Sequence, residues 1–255
     1  MSKIIEKKLT KQFKDKEVFS KEELRNFFRE LEPDLKEGTL GWRIHDLKNK
    51  NIIQSPQIGY YTISEKPIYK PELSSSKLLN IARSISAKFE DVKYCMWETQ
   101  WINEFSLHQS GKKMIIIEIE KDLVASLFFE LKDNFDLDIY LNPDKKTIDF
   151  YISESQNPVI IKRMITRSPI SKSIKTETKI FTPLIEKLLV DIYTDDQLFY
   201  FYQGAELTHI YRNVLKNYTI NYTTLFSYAS RREKEDEIKN FMLHNLYPLV
   251  KDIIQ

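Results

Sequence analysis

Hydrophobic positions near the start of the chain repeat first with helical and then with strand-like spacing. A basic helix is predicted over residues 2–16 and a second over residues 21–31, where a Ser-x-x-Glu capping box precedes an apolar stripe. A third helix is predicted over residues 39–50, because its apolar residues recur at i, i+4 and i+7. Two β-rich runs around a Pro/Gly turn then predict a hairpin over residues 52–63. This order predicts a winged helix-turn-helix over residues 1–64.

The pattern changes after a short segment rich in proline and serine. Residues 64–76 hold two prolines and four serines, which predicts a linker over residues 65–76. Beyond it, helical and strand-like periods alternate, which predicts an α/β domain over residues 77–255 whose sheet is at least partly parallel. Helices are predicted near 77–89, 98–106 and 121–133, strands at 92–97, 114–119, 135–141, 147–152 and 158–164, and a loop at 168–179. The chain from Pro183 onward is predicted to be helical, so the whole protein is α+β.

Composition places the chain among globular proteins of a reducing compartment. It has 255 residues, 42% of them hydrophobic and 30% charged, so it can build a core without covalent staples. Its single cysteine, Cys95, excludes an intrachain disulfide and lies in an apolar run that predicts burial. No run of 18 apolar residues is present, and the N-terminal apolar stretch is too short for a signal peptide. A cytoplasmic location without membrane contact is expected.

Charge is slightly positive at the N-terminal end of the chain. Residues 1–70 carry 15 Lys/Arg against 11 Asp/Glu, whereas residues 71–255 carry 24 against 26. With its apolar stripe in the core, the third helix would present a polar face to a DNA major groove. This face consists of Thr39, Trp42, Arg43, His45, Asp46, Lys48, Asn49 and Lys50.

Two interpretations of this face remain open from the sequence. Asn49 or His45 could read base edges while Arg43 and Lys48 bind phosphates. Alternatively, the charged residues form an ordinary solvated face. Trp42 either packs on sugars and base methyl groups or is buried against the preceding helix.

The sequence resembles the AbiEi-type antitoxins, a family of winged-helix transcriptional regulators. The resemblance rests on FSKEEL (19–24), GTLGWRIHDLKNKNII (38–53) and GYYTIS (59–64), and on WETQWINEFSLHQ (97–109) and TPLIEKLLVDIY (182–193) in the second domain. It implies that the N-terminal domain binds operator DNA and autorepresses its operon. It also implies that the second domain counters a nucleotidyltransferase-like toxin without forming a stable complex, as in type IV abortive-infection systems.

One segment departs from the pattern of that family. Its members tend to carry arginines at the wing tip, whereas residues 55–59 contain none. Each lost phosphate contact lowers the salt dependence of binding by about one unit of slope. The wing is therefore expected either to bind DNA more weakly or to make protein contacts instead.

An enzyme is the main competing class. Three groups of acidic residues are candidate metal ligands: Asp136 with Asp138, Glu118 with Glu120, and Asp191 with Asp195 and Asp196. The first pair would suit a divergent nucleotidyltransferase and the second a divergent nuclease, but the Gly-Ser phosphate turn and the Glu-x-Lys pair of those enzymes are missing. Strand-edge charges and a solvated helix end are the simpler interpretations. We therefore expect no catalytic residue, metal or cofactor.

The C-terminal helical region offers a third candidate surface. Aromatic and basic residues interleave there, as in surfaces that stack RNA bases, and the same pattern suits aromatics packed on the sheet. The candidate surface for RNA or a protein partner consists of Tyr202, Tyr211, Arg212, Lys216, Arg231 and Arg232. A module that has lost DNA binding and recognises protein or RNA is thus the remaining alternative.

Overall fold

The computed structural model has a mixed α/β fold with two separate hydrophobic cores. One core is built from residues 9–63 and the other from residues 69–254. The structure describes residues 3–16, 18–50, 52–63, 66–89, 91–109, 111–175, 178–251 and 253–254.

The N-terminal core lies between three helices and a small antiparallel sheet. Its elements are α1 (Lys3–Phe13), β1 (Phe19–Ser20), α2 (Lys21–Leu31), α3 (Glu37–Asn49), β2 (Ile53–Gln57) and β3 (Tyr60–Ile63). The sheet order is β1-β3-β2, so the hairpin strand β3 is central. The predicted helices and hairpin of this region are confirmed, although α3 begins at Glu37, two residues before the predicted Thr39.

Local sequence explains where α2 begins and which face of α3 is buried. The Ser20 hydroxyl accepts a hydrogen bond from the Glu23 amide at 3.2 Å, and the Glu23 carboxylate accepts one from the Ser20 amide at 2.7 Å. This reciprocal pair satisfies two amides that the helix leaves unpaired. On α3, Leu40, Ile44 and Leu47 are buried in the N-terminal core, as the i, i+4, i+7 spacing predicts.

The second core surrounds a four-stranded sheet. Its elements are α4 (Ser76–Lys88), β4 (Tyr94–Glu98), β5 (Ile115–Ile119), α5 (Val124–Asn134), β6 (Ile139–Leu141), α6 (Lys145–Thr147), β7 (Val159–Arg163), β8 (Ile170–Lys175), β9 (Thr178–Pro183), α7 (Ile185–Thr194), α8 (Ala205–Asn217), α9 (Tyr222–Arg231) and α10 (Glu235–Val250). The sheet order is β4-β5-β7-β6; β4 is antiparallel to β5, while β5, β7 and β6 run parallel. Cys95 is buried in β4, as predicted.

Several predicted elements of this region are wrong. Residues 147–152 form α6 and a π-helical turn instead of a strand, because Asp144 caps the turn at the Thr147 amide and Ile148 and Ile152 pack inward at i, i+4. Residues 168–179 belong largely to the β8–β9 hairpin and not to a loop. The helix predicted at 98–106 is a short 3₁₀ turn, Thr99–Ile102, and Pro183 ends β9 instead of starting a helix.

The segment between the two cores packs against the second one. Residues 66–75 contain no helix or strand, and residue 65 of the predicted linker lies outside the described residues. Tyr69 is buried edge-on against Phe105 and Tyr218, with ring centroids 5.5 and 5.4 Å away. The Thr219 amide donates to the Pro67 carbonyl at 3.0 Å. These contacts hold the segment against the second core near the C-terminal end of α8.

A fully buried lysine joins β5 to α7. The Lys187 ammonium donates to Glu118 Oε1 at 2.9 Å and also to Asp191, one helical turn further along α7. All three side chains are buried. Glu118 is therefore not an edge-strand charge and Asp191 is not a solvated helix end; both of these sequence interpretations are wrong, because each carboxylate has a buried cation as its partner.

Two further cations extend this network to α9 and β7. Tyr228 donates its hydroxyl to Asp191 at 2.9 Å, and Arg232 donates to Asp195 at 2.8 Å. Lys162 on β7 also pairs with Asp195. With Lys187 and Glu118, three cations face three carboxylates, so the charges within this network balance.

The network shifts the pKa values of its members. Burial alone would lower the pKa of Lys187, but the carboxylates of Asp191 and Glu118 outweigh it and raise that pKa well above the ordinary value. Burial raises the pKa of Glu118. Burial likewise opposes ionisation of Asp195, yet Lys162 and Arg232 together hold its pKa below the ordinary value. The lysine is therefore charged at neutral pH.

Replacing this lysine should destabilise the second core. Lys187→Met leaves two buried carboxylates without their shared cation, and we expect the free energy of unfolding to fall by about 3–5 kcal/mol. The measurement is urea unfolding in a Trp42→Phe background, in which Trp97 and Trp101 of the second core report the transition.

The control for this experiment is Lys8→Met, which removes an exposed lysine and should change stability by less than about 0.5 kcal/mol. Adding Glu118→Gln and Asp191→Asn to Lys187→Met should restore part of the loss, because no buried charge then lacks a partner. Equal stability of Lys187→Met and the control would contradict this account.

Candidate nucleic-acid interface

The exposed face of α3 centres on a tryptophan. Trp42 is 61% exposed, which rules out its burial against the preceding helix. Thr39 and His45 are exposed on the same helix, as are Gly38 and Gly41. Apart from the neighbouring residues and backbone of α3 itself, no described atom lies within 4 Å of the position that a Cβ would take at either glycine. The backbone beside Trp42 is thus open to a close approach by another molecule.

Arg43 is held on the protein by two contacts. Its guanidinium pairs with the Glu32 carboxylate at the end of α2 and lies 4.9 Å from the centroid of the Phe28 ring. A guanidinium can keep such a stacking contact while it exchanges its anionic partner. Arg43 therefore lies beside the exposed face, held in orientation by the Phe28 ring, with the Glu32 carboxylate as its anionic partner.

The other basic residues of the predicted interface also have partners within the protein. Lys50 donates to Asp46 at 2.8 Å and to Glu6 at 2.9 Å, and these bonds raise its pKa and lower that of Asp46. The Lys48 ammonium lies 5.3 Å from the Tyr61 ring centroid, and burial lowers its pKa. The side chain of Asn49 lies outside the described residues.

The hairpin tip contacts the second core. The Ile58 amide donates to the Thr223 hydroxyl of α9 at 2.9 Å. Gly59 has a φ of 79°, a left-handed conformation that glycine adopts without strain, and its carbonyl accepts from the Lys21 amide at 2.7 Å. A groove of about 660 Å³ opens between this tip and helices α9 and α10, lined among others by Tyr60, Phe226 and Arg231.

The prediction that two tyrosines of the C-terminal region form a surface for RNA or a protein partner is wrong. Tyr202 and Tyr211 are buried, with their hydroxyls donating to the carbonyls of Thr99 at 2.7 Å and Leu189 at 2.8 Å. Both rings fill the core because burial of a large aromatic ring stabilises the fold and a main-chain carbonyl satisfies each hydroxyl. They cannot stack on RNA bases.

The basic residues of that candidate surface do not lie together around aromatic rings. Arg232 is tied into the buried network through Asp195. Arg212 and Lys216 are exposed on α8, while Arg231 lies at the groove beside the hairpin tip and donates to the Ser227 carbonyl at 3.0 Å.

The acidic candidates do not form a metal centre among the described residues. No group of three or more His, Cys, Asp or Glu side chains is placed to hold an ion there. Asp138 accepts a hydrogen bond from the Ser155 hydroxyl at 2.6 Å, and Glu118 is paired with Lys187. Asp136 and Glu120 are exposed.

Comparison with known proteins identifies one family. The chain belongs to DUF6577, a family of unknown function, which matches residues 39–247 and so includes most of α3, the hairpin and the second core. No curated protein and no solved structure shows a significant match. No helix in the described part of the chain combines the length and apolar character needed to cross a bilayer.

Removing the hydroxyl that holds the hairpin tip should loosen it. Thr223→Val takes away the acceptor of the Ile58 amide, and loss of one such bond lowers local stability by about 0.5–1.5 kcal/mol. Hydrogen exchange of a peptide covering residues 55–60 should accelerate several-fold. Thr224→Val, the next residue on α9, is the control; equal protection in both variants would contradict a docked tip.

Proposed function

We propose that this member of the DUF6577 family is a DNA-binding regulator of the AbiEi-antitoxin type, with α3 as the recognition helix of a winged helix. The element order α1-β1-α2-α3-β2-β3 and the sheet order β1-β3-β2 support this proposal, because they match the order expected of a winged helix-turn-helix. The observation that carries the proposal is the exposed face of α3, where Trp42 stands beside two glycines opposite the buried stripe.

This face suits a DNA groove in shape and in the chemistry of its side chains. Trp42 can pack on deoxyribose and on thymine methyl groups, and His45 can reach base edges. Arg43 can exchange Glu32 for a phosphate without leaving Phe28. The hairpin tip has no arginine and is bonded to Thr223, so we assign it to fixing the orientation of the module on the second core.

The antitoxin part of the proposal rests on the resemblance of residues 97–109 and 182–193 to the second domain of AbiEi-type proteins. In this proposal the protein autorepresses its operon in the cytoplasm and counters a nucleotidyltransferase-like toxin encoded beside it without a stable complex. The second domain performs that task independently of DNA.

DNA binding should depend on Trp42 and be restrained by Glu32. With labelled duplex from the protein's own upstream region, Trp42→Ala should weaken binding at least tenfold, or about 1.4 kcal/mol, without unfolding an exposed site. Glu32→Gln should tighten binding and steepen its salt dependence by about one unit, because Arg43 becomes free for a phosphate. Fluorescence anisotropy over a salt series measures both effects.

The matched control is Glu30→Gln, which makes the same charge change at an exposed position of α2. It should leave the salt dependence of binding nearly unchanged. Identical effects of the two glutamate substitutions would remove Arg43 from the interface. If the unaltered protein fails to bind at low salt, the DNA-binding proposal is wrong, and the α3 face would belong to a protein-interaction module.

Toxin neutralisation should survive the loss of DNA binding. Co-expression of the Trp42→Ala protein with the neighbouring nucleotidyltransferase-like gene should restore colony formation as fully as the unaltered protein does, while repression of a promoter fusion is lost. Absence of such a gene, or growth inhibition that neither protein relieves, would contradict the antitoxin assignment.

A further inference from the structure

The sheet of the second core ends in a strand with a free edge. β6 is the terminal strand of the described sheet and pairs with β7 alone. The Asp138 carbonyl and the Asn142 amide bond to β7, at 2.8 and 2.9 Å, so even-numbered residues direct their main-chain groups to that side. In a parallel ladder, the main-chain groups of Ile139 and Leu141 therefore point away from the sheet.

The opposite edge of the sheet is covered. The β8–β9 hairpin packs beside β4, where the Tyr94 hydroxyl donates to the Lys179 carbonyl at 2.7 Å and the Tyr94 ring meets Phe181 at 5.5 Å. Proteins normally block or cover such edges, because unpaired strands bind other chains. The contrast makes the free edge at β6 a feature that requires an explanation.

Exposed apolar side chains lie around this edge. α6 and the turn that follows it pack inward through Ile148 and Ile152, which leaves Phe150 and Tyr151 exposed by 70% and 63%. Leu141 of β6 itself is 40% exposed. Burial raises the pKa of Tyr140, and the nearby Asp138 and Tyr151 side chains add to this shift, which is consistent with the turn lying beside the strand.

The segment that carries this patch is acidic. Residues 133–154 carry six Asp/Glu and two Lys, a net charge of −4, and all six acidic residues are exposed. Phosphate-rich nucleic acid is repelled by such a surface. A second copy of this chain would bring the same negative charge against it, which disfavours pairing of two β6 edges.

We propose that the β6 edge, with Leu141, Phe150 and Tyr151, is the docking site for a protein partner that adds an extended strand of alternating apolar and Lys/Arg residues. The main-chain groups of Ile139 and Leu141 bond the added strand. Phe150 and Tyr151 cover its apolar side chains, and the surrounding carboxylates attract its cations. Because β6 has only three residues, the aromatic side chains and the charge supply most of the affinity. This site is separate from α3 and goes beyond the proposed function.

A labelled peptide of alternating lysine and valine tests the site by fluorescence anisotropy with the full-length protein. It should bind, and binding should weaken as salt rises. Phe150→Ser with Tyr151→Ser should weaken it about tenfold or more. Methylating alternate peptide amides should have a similar effect, since these amides would pair with β6. Tyr247→Ser, which removes an exposed tyrosine from α10, should leave binding unchanged.

Three results would overturn the proposal. One is absence of binding by the lysine–valine peptide at low salt. Another is equal binding of a glutamate–valine peptide, which would remove the role of charge. The last is a concentration-dependent dimer in sedimentation that Leu141→Lys abolishes, because the edge would then belong to a second copy. Circular dichroism of each variant checks that the fold is retained.

Discussion

The arrangement of the second core depends on one buried cation. Lys187 lies between Glu118 of β5 and Asp191 of its own helix, so α7 can meet the sheet only where both carboxylates reach the ammonium. Asp191 in turn accepts the Tyr228 hydroxyl, which fixes α9 against α7. α9 carries Thr223, the residue that binds the hairpin tip. Shifting any of these elements would leave a buried charge without its partner. The resulting loss of stability would be far larger than that from losing an apolar contact.

Charges are also neutralised by ion pairs within the N-terminal module, but these pairs have a different effect on stability. There the ion pairs are accessible to solvent, so each contributes little to stability and its members can exchange one charged partner for another. Arg43 illustrates the difference: it is stacked on Phe28 but paired with a surface carboxylate. A phosphate could replace Glu32 at little cost, whereas no ligand could replace Glu118 beside Lys187. The α3 face therefore combines a fixed shape with ion pairs whose partners can be exchanged.

The predictions from sequence succeeded where a short-range rule determines the structure. The capping box before α2 and the stripe of Leu40 and Leu47 on α3 are local signals, and both were confirmed. The predictions mostly failed where contacts with residues far away in the sequence determine the environment of a side chain. From the sequence, Asp191 is interpreted as a solvated helix end, but the distant Tyr228 donates to it and the distant Glu118 shares its lysine. Tyr211 is interpreted as a stacking residue, but its hydroxyl donates to the Leu189 carbonyl in the core. At 147–152, a cap and inward-facing isoleucines override β-rich composition.

The two proposed surfaces are opposite in charge, and this bears on how one chain can serve two partners. Residues 1–70 carry a net charge of +4, whereas residues 133–154 carry −4. DNA is attracted to the first region and repelled by the second, and a cationic strand experiences the reverse. In these two proposals, each surface repels the other's ligand at the stage of encounter. A protein with uniform surface charge would have to distinguish the two ligands by shape alone, whereas this chain can distinguish them by both shape and charge. Because Thr223 ties the hairpin tip to α9, α9 and the buried network behind it form one physical connection between the two surfaces.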